Sequence, residues 1–219
     1  MCGRYALTAS AEELVETFDV PPPAFELVPR YNVCPGQDAP VVAEDRKGRR
    51  LGLLTWGFVP ASAAEPRPGI VNARSESLHS RPAFREAFDR RRCLVPANGF
   101  YEWTSEDGAK IPHWIHPEDG ALVSFAAIWE RWSRPGAPTR YTFAILTRPA
   151  SPEVAPLHDR MPVIVRPADR DRWLDRTLSG GDVRDVLRAE PEVRLEHYRV
   201  STRVNRGTED DPGLLEPVD

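Results

Sequence analysis

Prolines divide this chain into short segments, and their spacing limits the folds that it can adopt. There are 23 prolines among 219 residues. Proline fixes φ and lacks the N–H that a helix interior or a central strand requires, so long helices are excluded over most of the sequence. Short apolar runs lie between the prolines, and turn signals such as Glu106-Asp107-Gly108 and Arg134-Pro135-Gly136 separate several of them. This pattern predicts antiparallel hairpins.

The predicted strands outnumber the predicted helices and do not alternate with them. Helices are expected after the Ser10/Glu13 capping box, from Pro82 to about residue 90, and over residues 169–175 and 182–188. The predicted strands cover residues 40–43, 51–56, 93–95, 99–103, 113–116, 122–129, 141–147, 162–165 and 194–200. Parallel βαβ architecture is therefore disfavoured. The sequence predicts an α+β fold, a single domain with a largely antiparallel, partly closed β-sheet core and short peripheral helices.

The domain is expected to span residues 1–205, followed by an acidic, mobile tail over residues 206–219. The net charge of −4 argues against a protein that coats nucleic acid through bulk charge. No apolar run approaches the roughly 20 residues that span a bilayer, and the N-terminus lacks the layout of a signal peptide. We therefore expect a cytoplasmic protein without a membrane partner.

The three cysteines, Cys2, Cys34 and Cys93, are odd in number and widely spaced. This spacing fits neither a disulfide framework nor a paired zinc site. No metal and no cofactor are expected.

The start of the chain offers unusual chemistry, because Cys2 directly follows Met1. Once Met1 is removed, Cys2 carries an α-amine and a thiol on adjacent carbons, with reference pKa values of about 7.7–8.0 and about 8.5. Such a pair can take an aldehyde into an imine and then close a thiazolidine ring. The alternative is that position 2 belongs to a frayed end.

Few other amines compete with this N-terminus. The chain has 29 basic residues, of which only Lys47 and Lys110 are lysines. Arginine binds phosphate well but forms no imine. Both lysines lie in polar, turn-like stretches, so the N-terminus is the better candidate for Schiff-base chemistry.

Two residues are candidates for proton transfer. Glu102 shares a strand face with Phe100, and a desolvated carboxylate acquires a raised pKa suited to acid–base work. The alternative is an edge-strand glutamate that faces water. His158 stands at the entry of a predicted strand beside Arg160, where it could shuttle protons near pH 7. The alternative is a structural histidine.

Several polar and aromatic residues could contact nucleic acid. Arg74 could clamp a phosphate and Asn72 could bind a sugar or carbonyl, although both also suit a solvated loop. Trp56 and Phe58 flank Gly57 and could stack on the bases of a single strand, or could simply belong to the core.

Seven segments in this order resemble the SRAP family, the SOS response-associated peptidases, which are abasic-site processing proteins. The resemblance covers residues 2 to about 205. It rests on Met1-Cys2-Gly3-Arg4-Tyr5, Tyr31-Asn32-Val33-Cys34-Pro35, Trp56-Gly57, Val71-Asn72-Ala73-Arg74-Ser75-Glu76, Gly99-Phe100-Tyr101-Glu102-Trp103, His158-Asp159-Arg160-Met161-Pro162 and Val200-Ser201-Thr202-Arg203-Val204-Asn205.

The resemblance implies an enzyme that binds single-stranded DNA and crosslinks covalently to abasic sites. Cys2 would be the nucleophile, Glu102 and His158 the acid–base pair, and Asn72 the residue that holds the N-terminal residue or the opened sugar. The thiazolidine would shield the lesion from strand cleavage. Peptidase-like removal of Met1 and lyase-class reversal of the crosslink are also implied, although a methionine aminopeptidase could remove Met1 instead.

The resemblance also implies a set of DNA contacts. Arg4 and Arg74 would bind phosphates, Trp56 and Phe58 would lie where the family parts the DNA around the lesion, and Pro35 would join them. The protein would act as a monomer and associate with the nucleoid when it works on DNA. Two other functions stay open from the residues alone: a cysteine peptidase or amidohydrolase that uses Cys2, and a non-catalytic binding module.

Overall fold

The short apolar runs form strands, and these strands build two sheets. The computed structural model describes residues 2–66 and 69–218. The strands are β1 Tyr5–Leu7, β2 Arg30–Val33, β3 Asp38–Asp45, β4 Gly48–Trp56, β5 Asn72–Arg74, β6 Arg92–Ala97, β7 Gly99–Glu106, β8 Ala109–Pro117, β9 Val123–Trp132, β10 Arg140–Pro149, β11 Arg160–Pro162 and β12 Leu195–Arg199.

The larger sheet closes on itself. Antiparallel pairing joins β4 to β3, β3 to β6, β6 to β9 and β9 to β10. The ring closes because Thr142 and Phe143 of β10 pair in parallel with Thr55 and Trp56 of β4. The strands β5 and β11 then attach to β10. The predicted α+β fold with a partly closed, largely antiparallel core is thus confirmed.

The smaller sheet carries the start of the chain. Its strand order is β12-β8-β7-β1-β2, and all of its pairings are antiparallel. β7 begins at Gly99, where a Cβ atom would lie 2.4 Å from the Ile115 carbonyl oxygen and 2.7 Å from the Trp114 ring. Only glycine allows this close approach. The aromatic rings of Tyr5, Phe100 and Phe125 pack edge to face and join this sheet to the ring of strands.

The helices lie outside the strands and bury one face each. They are α1 Ala11–Phe18, α2 Pro82–Arg90 and α3 Arg170–Leu174. The predicted capping box is present, since Glu13 N–H donates to Ser10 Oγ and Ser10 N–H donates to Glu13 Oε2. None of the helices in the described ranges is long and apolar enough to cross a membrane.

The prediction of a helix over residues 182–188 is wrong, because this segment is a series of turns. Arg184 and Val186 donate to carbonyls three residues earlier. Arg172 donates to the Asp182 carbonyl, which an α-helix would use for Val186 N–H. The competing side chain therefore favours tighter turns.

The acidic end of the chain is packed onto the body, which corrects the expectation of a mobile tail. We call residues 202–218 the C-terminal strap. Asp210 accepts hydrogen bonds from the backbone N–H groups of Tyr31 (2.5 Å) and Asn32 (3.1 Å) on the edge strand β2. The Asn32 amide donates to three strap carbonyls, and Leu214 is fully buried. Edge-strand donors thus find partners in the strap instead of in water.

Candidate active site

The N-terminal cysteine is held in place by the core. Tyr5 is fully buried, and β1 lies between β2 and β7, so the described residues just before it, 2–4, start from a fixed strand. The Cys2 side chain is also fully buried. Asn72 Nδ2 donates to the Cys2 carbonyl oxygen at 2.8 Å. These contacts contradict the reading of position 2 as part of a frayed end.

The thiol of Cys2 lies in an environment that favours its protonated form. Burial raises the pKa of the Cys2 thiol well above its ordinary value, and the negative charge of Glu102 raises it further. The thiol therefore needs a neighbouring base before it can act as a nucleophile.

Glu102 is placed to serve as that base or as an acid. It lies on β7 opposite His113 and is only 2% exposed. Burial raises the pKa of Glu102 from 4.5 to about 7. The predicted desolvation is therefore present, and near neutral pH both protonation states of the carboxyl group are populated.

His158 lies in the chain just before β11. Its Nδ1 accepts a hydrogen bond from Arg160 N–H at 2.9 Å and lies 2.9 Å from Asp159 Oδ1. Burial lowers the pKa of His158, although the Asp159 charge partly opposes that shift. The ring is thus held by its own loop and is mainly neutral at neutral pH.

An open cleft of about 500 Å³ brings several of these residues together. Its wall contains Gly3, Arg4, Glu102, Trp103, Lys110, His158 and Asn205. The strap supplies one side of it, because Asn205 Oδ1 accepts a hydrogen bond from Trp103 Nε1 at 2.7 Å. Arg4 donates to the Gly3 and Asn205 carbonyls and so lines the cleft from the opposite end of the chain.

The sequence did not predict that Lys110 would line this cleft. The β7–β8 hairpin pairs Ser105 with Lys110 and thereby carries the lysine toward the cleft. The Asp107-Gly108 pair was the available signal, since a two-residue turn fixes which residues face each other across a hairpin. Lys110 adds a second cation beside Arg4.

The loop that follows Asn72 is tied to the loop that carries His158. Glu76 accepts two hydrogen bonds from Arg160, at 2.5 and 2.9 Å, and this pairing lowers the pKa of the Glu76 carboxyl group. Arg160 is nearly buried and also donates to the Thr147 carbonyl. The ion pair between Glu76 and Arg160 therefore joins the segment after Asn72 to the segment after His158, while Arg74 remains exposed on β5.

The structure contradicts the prediction that Trp56 and Phe58 part the DNA. Both side chains are fully buried. Trp56 Nε1 donates to the Val71 carbonyl at 2.9 Å and its ring stacks on Phe143, while Phe58 packs edge to face on Phe84. The closure of the larger sheet at β4 and β10 covers these rings, so they offer no surface to a base.

Pro35 does not line the cleft that contains Glu102 and His158. It is partly exposed and borders a separate cleft of about 380 Å³, together with Gly57 and Arg140. Within the described ranges, no group of three His, Cys, Asp or Glu side chains is arranged to hold a metal ion.

The fold and the cleft together define a class: single-domain α+β proteins with an anchored cysteine at position 2 beside a buried carboxyl group. A crystal structure of a protein from Bacteroides thetaiotaomicron has the same fold, with a TM-score of 0.87 at 22% identity over 99% of this chain and 100% of that chain. Residues 1–207 match the family SOS response associated peptidase (SRAP), and the chain belongs to that family.

Characterised relatives support this assignment. The chain is 34% identical to the abasic site processing protein YoqW of Bacillus subtilis, over 99% of each sequence. It is 26% identical to the abasic site processing protein YedK of Escherichia coli, over the full length of both. The resemblance drawn from the ordered sequence motifs is thus confirmed.

Proposed function

We propose that this protein processes abasic sites in single-stranded DNA by forming a covalent thiazolidine between Cys2 and the opened sugar. The names of its relatives support abasic sites as the target. The observation that carries the proposal is the anchored Cys2. Asn72 Nδ2 donates to its carbonyl oxygen at 2.8 Å, and its thiol feels the charge of the buried Glu102. Removal of Met1 turns this anchored residue into a fixed 1,2-aminothiol.

The first step joins the α-amine to the aldehyde. The Cys2 nitrogen adds to C1′ of the open sugar, and loss of one water from the resulting carbinolamine gives an imine. Glu102 in its protonated form donates to the departing hydroxyl group. A carboxyl group with a pKa of about 7 supplies that proton at neutral pH.

The second step closes the ring. The carboxylate left on Glu102 accepts the thiol proton, the sulfur adds to the carbon of the protonated imine, and the C=N electron pair returns to the nitrogen, which keeps its proton. One aldehyde and one aminothiol thus give one thiazolidine and one water, without oxidation or reduction. The product no longer contains the imine that would promote β-elimination, so the strand stays intact.

The raised thiol pKa favours this chemistry over that of a cysteine peptidase. A hydrolase needs a thiolate that is ready to attack an incoming substrate, and burial of Cys2 opposes that state. Ring closure is intramolecular once the imine exists, and the gain in effective concentration compensates for a low thiolate fraction.

The surrounding charges suit a DNA strand. We assign phosphates flanking the lesion to Arg4 in the cleft and to the exposed Arg74 on β5, with Lys110 as a further contact. Glu102, protonated once it has accepted the thiol proton, would donate the proton that reopens the ring and allows release, together with the minor protonated form of His158. These assignments reconcile DNA binding with the net charge of −4.

The test combines a denaturing gel with intact mass. The chain without Met1 is incubated with single-stranded DNA that contains one abasic site, and we expect a denaturation-resistant adduct with the mass of both partners less one water. The Cys2→Ala variant keeps the amine and should give an adduct only after borohydride reduction. Cys34→Ser, which alters another buried cysteine, should react as the wild type does. A processed wild type that gives no adduct but cleaves peptides would refute the proposal.

A further inference from the structure

A second basic cleft lies at the end of β5 and β10, away from Cys2. Its volume is about 250 Å³. We call it the distal cleft, and it is lined by Ser75, Glu76, His79, Arg148, Pro149, Arg184, Leu187 and Arg188. Its cations come from two separate parts of the chain, since Arg148 is on β10 whereas Arg184 and Arg188 lie in the turns after α3.

Arg184 and Arg188 are the uncompensated charges of this cleft. Both are exposed, and within the described ranges neither has a carboxylate or a side-chain hydrogen bond as partner. The acids in their own segment are engaged elsewhere. Asp182 accepts hydrogen bonds from Ser179, and Asp185 binds Arg172 at 2.5 and 2.8 Å.

The carboxylates on the rim are also neutralised by other arginines. Glu76 is bound by Arg160, and Glu190 is bound by Arg148, whose guanidinium also donates to the Ala189 carbonyl. The distal cleft therefore presents two free guanidinium groups on a chain that is acidic overall. Arginine binds phosphate oxygens in a bidentate manner, so a phosphate is the ligand that this charge arrangement fits.

The lining favours backbone recognition over base recognition. None of the described residues that form the distal cleft is Phe, Tyr or Trp, and the imidazole of His79 is its one aromatic ring, so the cleft offers little surface on which a base could stack. Contacts with phosphates alone carry no sequence information. Such a site therefore suits a protein that must act at a lesion in any sequence.

The distal cleft is linked directly to the active site. Asn72 holds the Cys2 carbonyl, and Ser75, three residues later, borders the distal cleft. Three residues span at most about 10 Å. At about 3.4 Å per nucleotide, the rise along one strand of a duplex, this upper bound corresponds to at most about three nucleotides, and to fewer for a more extended single strand.

We propose that the distal cleft binds the phosphates of the damaged DNA strand itself, beginning within about three nucleotides of the abasic site on one side. The position of the distal cleft along the strand, counted from the lesion, rests on the function proposed above. The contact with phosphates rests only on the residues that line the distal cleft.

The first experiment measures the affinity for undamaged single-stranded DNA by fluorescence anisotropy at several salt concentrations. The test variant is Arg184→Gln/Arg188→Gln. The matched control is Arg46→Gln/Lys47→Gln, which removes the same charge from the exposed turn between β3 and β4. Each lost phosphate contact should weaken binding about 5-fold near 0.1 M salt and reduce the salt slope by about 0.7. An affinity and a slope equal to those of the control would overturn the proposal.

A second experiment tests the register with abasic oligonucleotides that carry one to six nucleotides on each side of the lesion. The crosslinking rate of the test variant should equal that of the control when the strand is too short on that side to reach the distal cleft, and should fall below it once that side extends by up to about three nucleotides. A deficit that is independent of strand length would overturn the register.

Two further outcomes are informative. If the wild type forms no adduct but the test variant still loses DNA affinity, the proposed function fails while the distal cleft is supported as a DNA site. A titration with inorganic phosphate tests whether the distal cleft binds free phosphate instead of the phosphates of DNA. Binding of phosphate by the wild type alone, with equal DNA affinities in both proteins, would overturn the strand assignment.

Discussion

Replacing Glu102 with glutamine should make the folded protein more stable at alkaline pH while it impairs the chemistry. The rise in the pKa of Glu102 from 4.5 to about 7 corresponds to about 3 kcal/mol at about 1.4 kcal/mol per pKa unit. This is the free energy that the fold loses in order to keep an ionised carboxylate at this buried position. Glutamine has nearly the same shape and no charge at any pH.

The direction of this pH dependence of stability follows from proton binding. The folded state retains the Glu102 proton at higher pH than the unfolded chain does. Wild-type stability therefore falls as the pH rises from about 4.5 to about 7, and the loss is complete above that window. Glu102→Gln lacks this slope. We expect similar stabilities near pH 4.5 and a gain of about 2–3 kcal/mol for the variant at about pH 8, since burial of the new amide offsets part of the gain.

Unfolding at about pH 4.5 and pH 8 measures this difference, with urea for the free energy of unfolding and with heat for Tm. For a chain of this size, 1 kcal/mol shifts Tm by about 2–4 °C, so the variant should melt about 4–12 °C higher at pH 8. Glu26→Gln changes an exposed glutamate and should show no such pH-dependent difference. The same substitution should slow crosslink formation or Met1 removal. An equal gain at both pH values, or none at pH 8, would refute the desolvation argument.

Three further changes probe the site and its support. His158→Ala should mainly slow release of the crosslink, measured by transfer to excess labelled abasic DNA, and an unchanged release rate would contradict its role as the ring-opening acid. Asn72→Ala removes the hydrogen bond to the Cys2 carbonyl and should slow crosslinking about 2- to 10-fold; a wild-type single-turnover rate would remove it from the mechanism. Asp210→Ala loosens the strap and should cost about 1 kcal/mol in urea unfolding, reduced by its partial exposure; an unchanged midpoint would show that the strap is held by Leu214 instead.

Local patterns predicted most of the strands and the burial of Glu102. Alternation along β7 placed Glu102 beside Phe100, and both are buried. The Ser10 and Glu13 pair predicted the start of α1 because a capping box is a local arrangement. These features depend on neighbours within a few residues, which a single sequence displays.

Features that depend on contacts between residues far apart in the sequence could not be predicted from local patterns. From the sequence, Trp56 and Phe58 look like exposed aromatic residues that could insert between bases. In the structure β10 closes the sheet over them, through pairing between residues more than eighty positions apart. The acidic composition of residues 206–219 suggested mobility, yet Asp210 supplies the acceptor that the edge strand β2 needs. Composition does not report where a carboxylate finds its partner.

The cleft is assembled from the two ends of the chain, and this orders events in time during synthesis. Arg4 bonds to Asn205 across 201 positions, and Trp103 depends on the same asparagine. At about 5–20 residues per second, a ribosome delivers Asn205 roughly 10–40 s after Cys2. Until then Cys2 lacks the wall that orders Arg4. A cysteine made among the first residues thus gains the surroundings of its cleft last, once the segment around Asn205 has been synthesised.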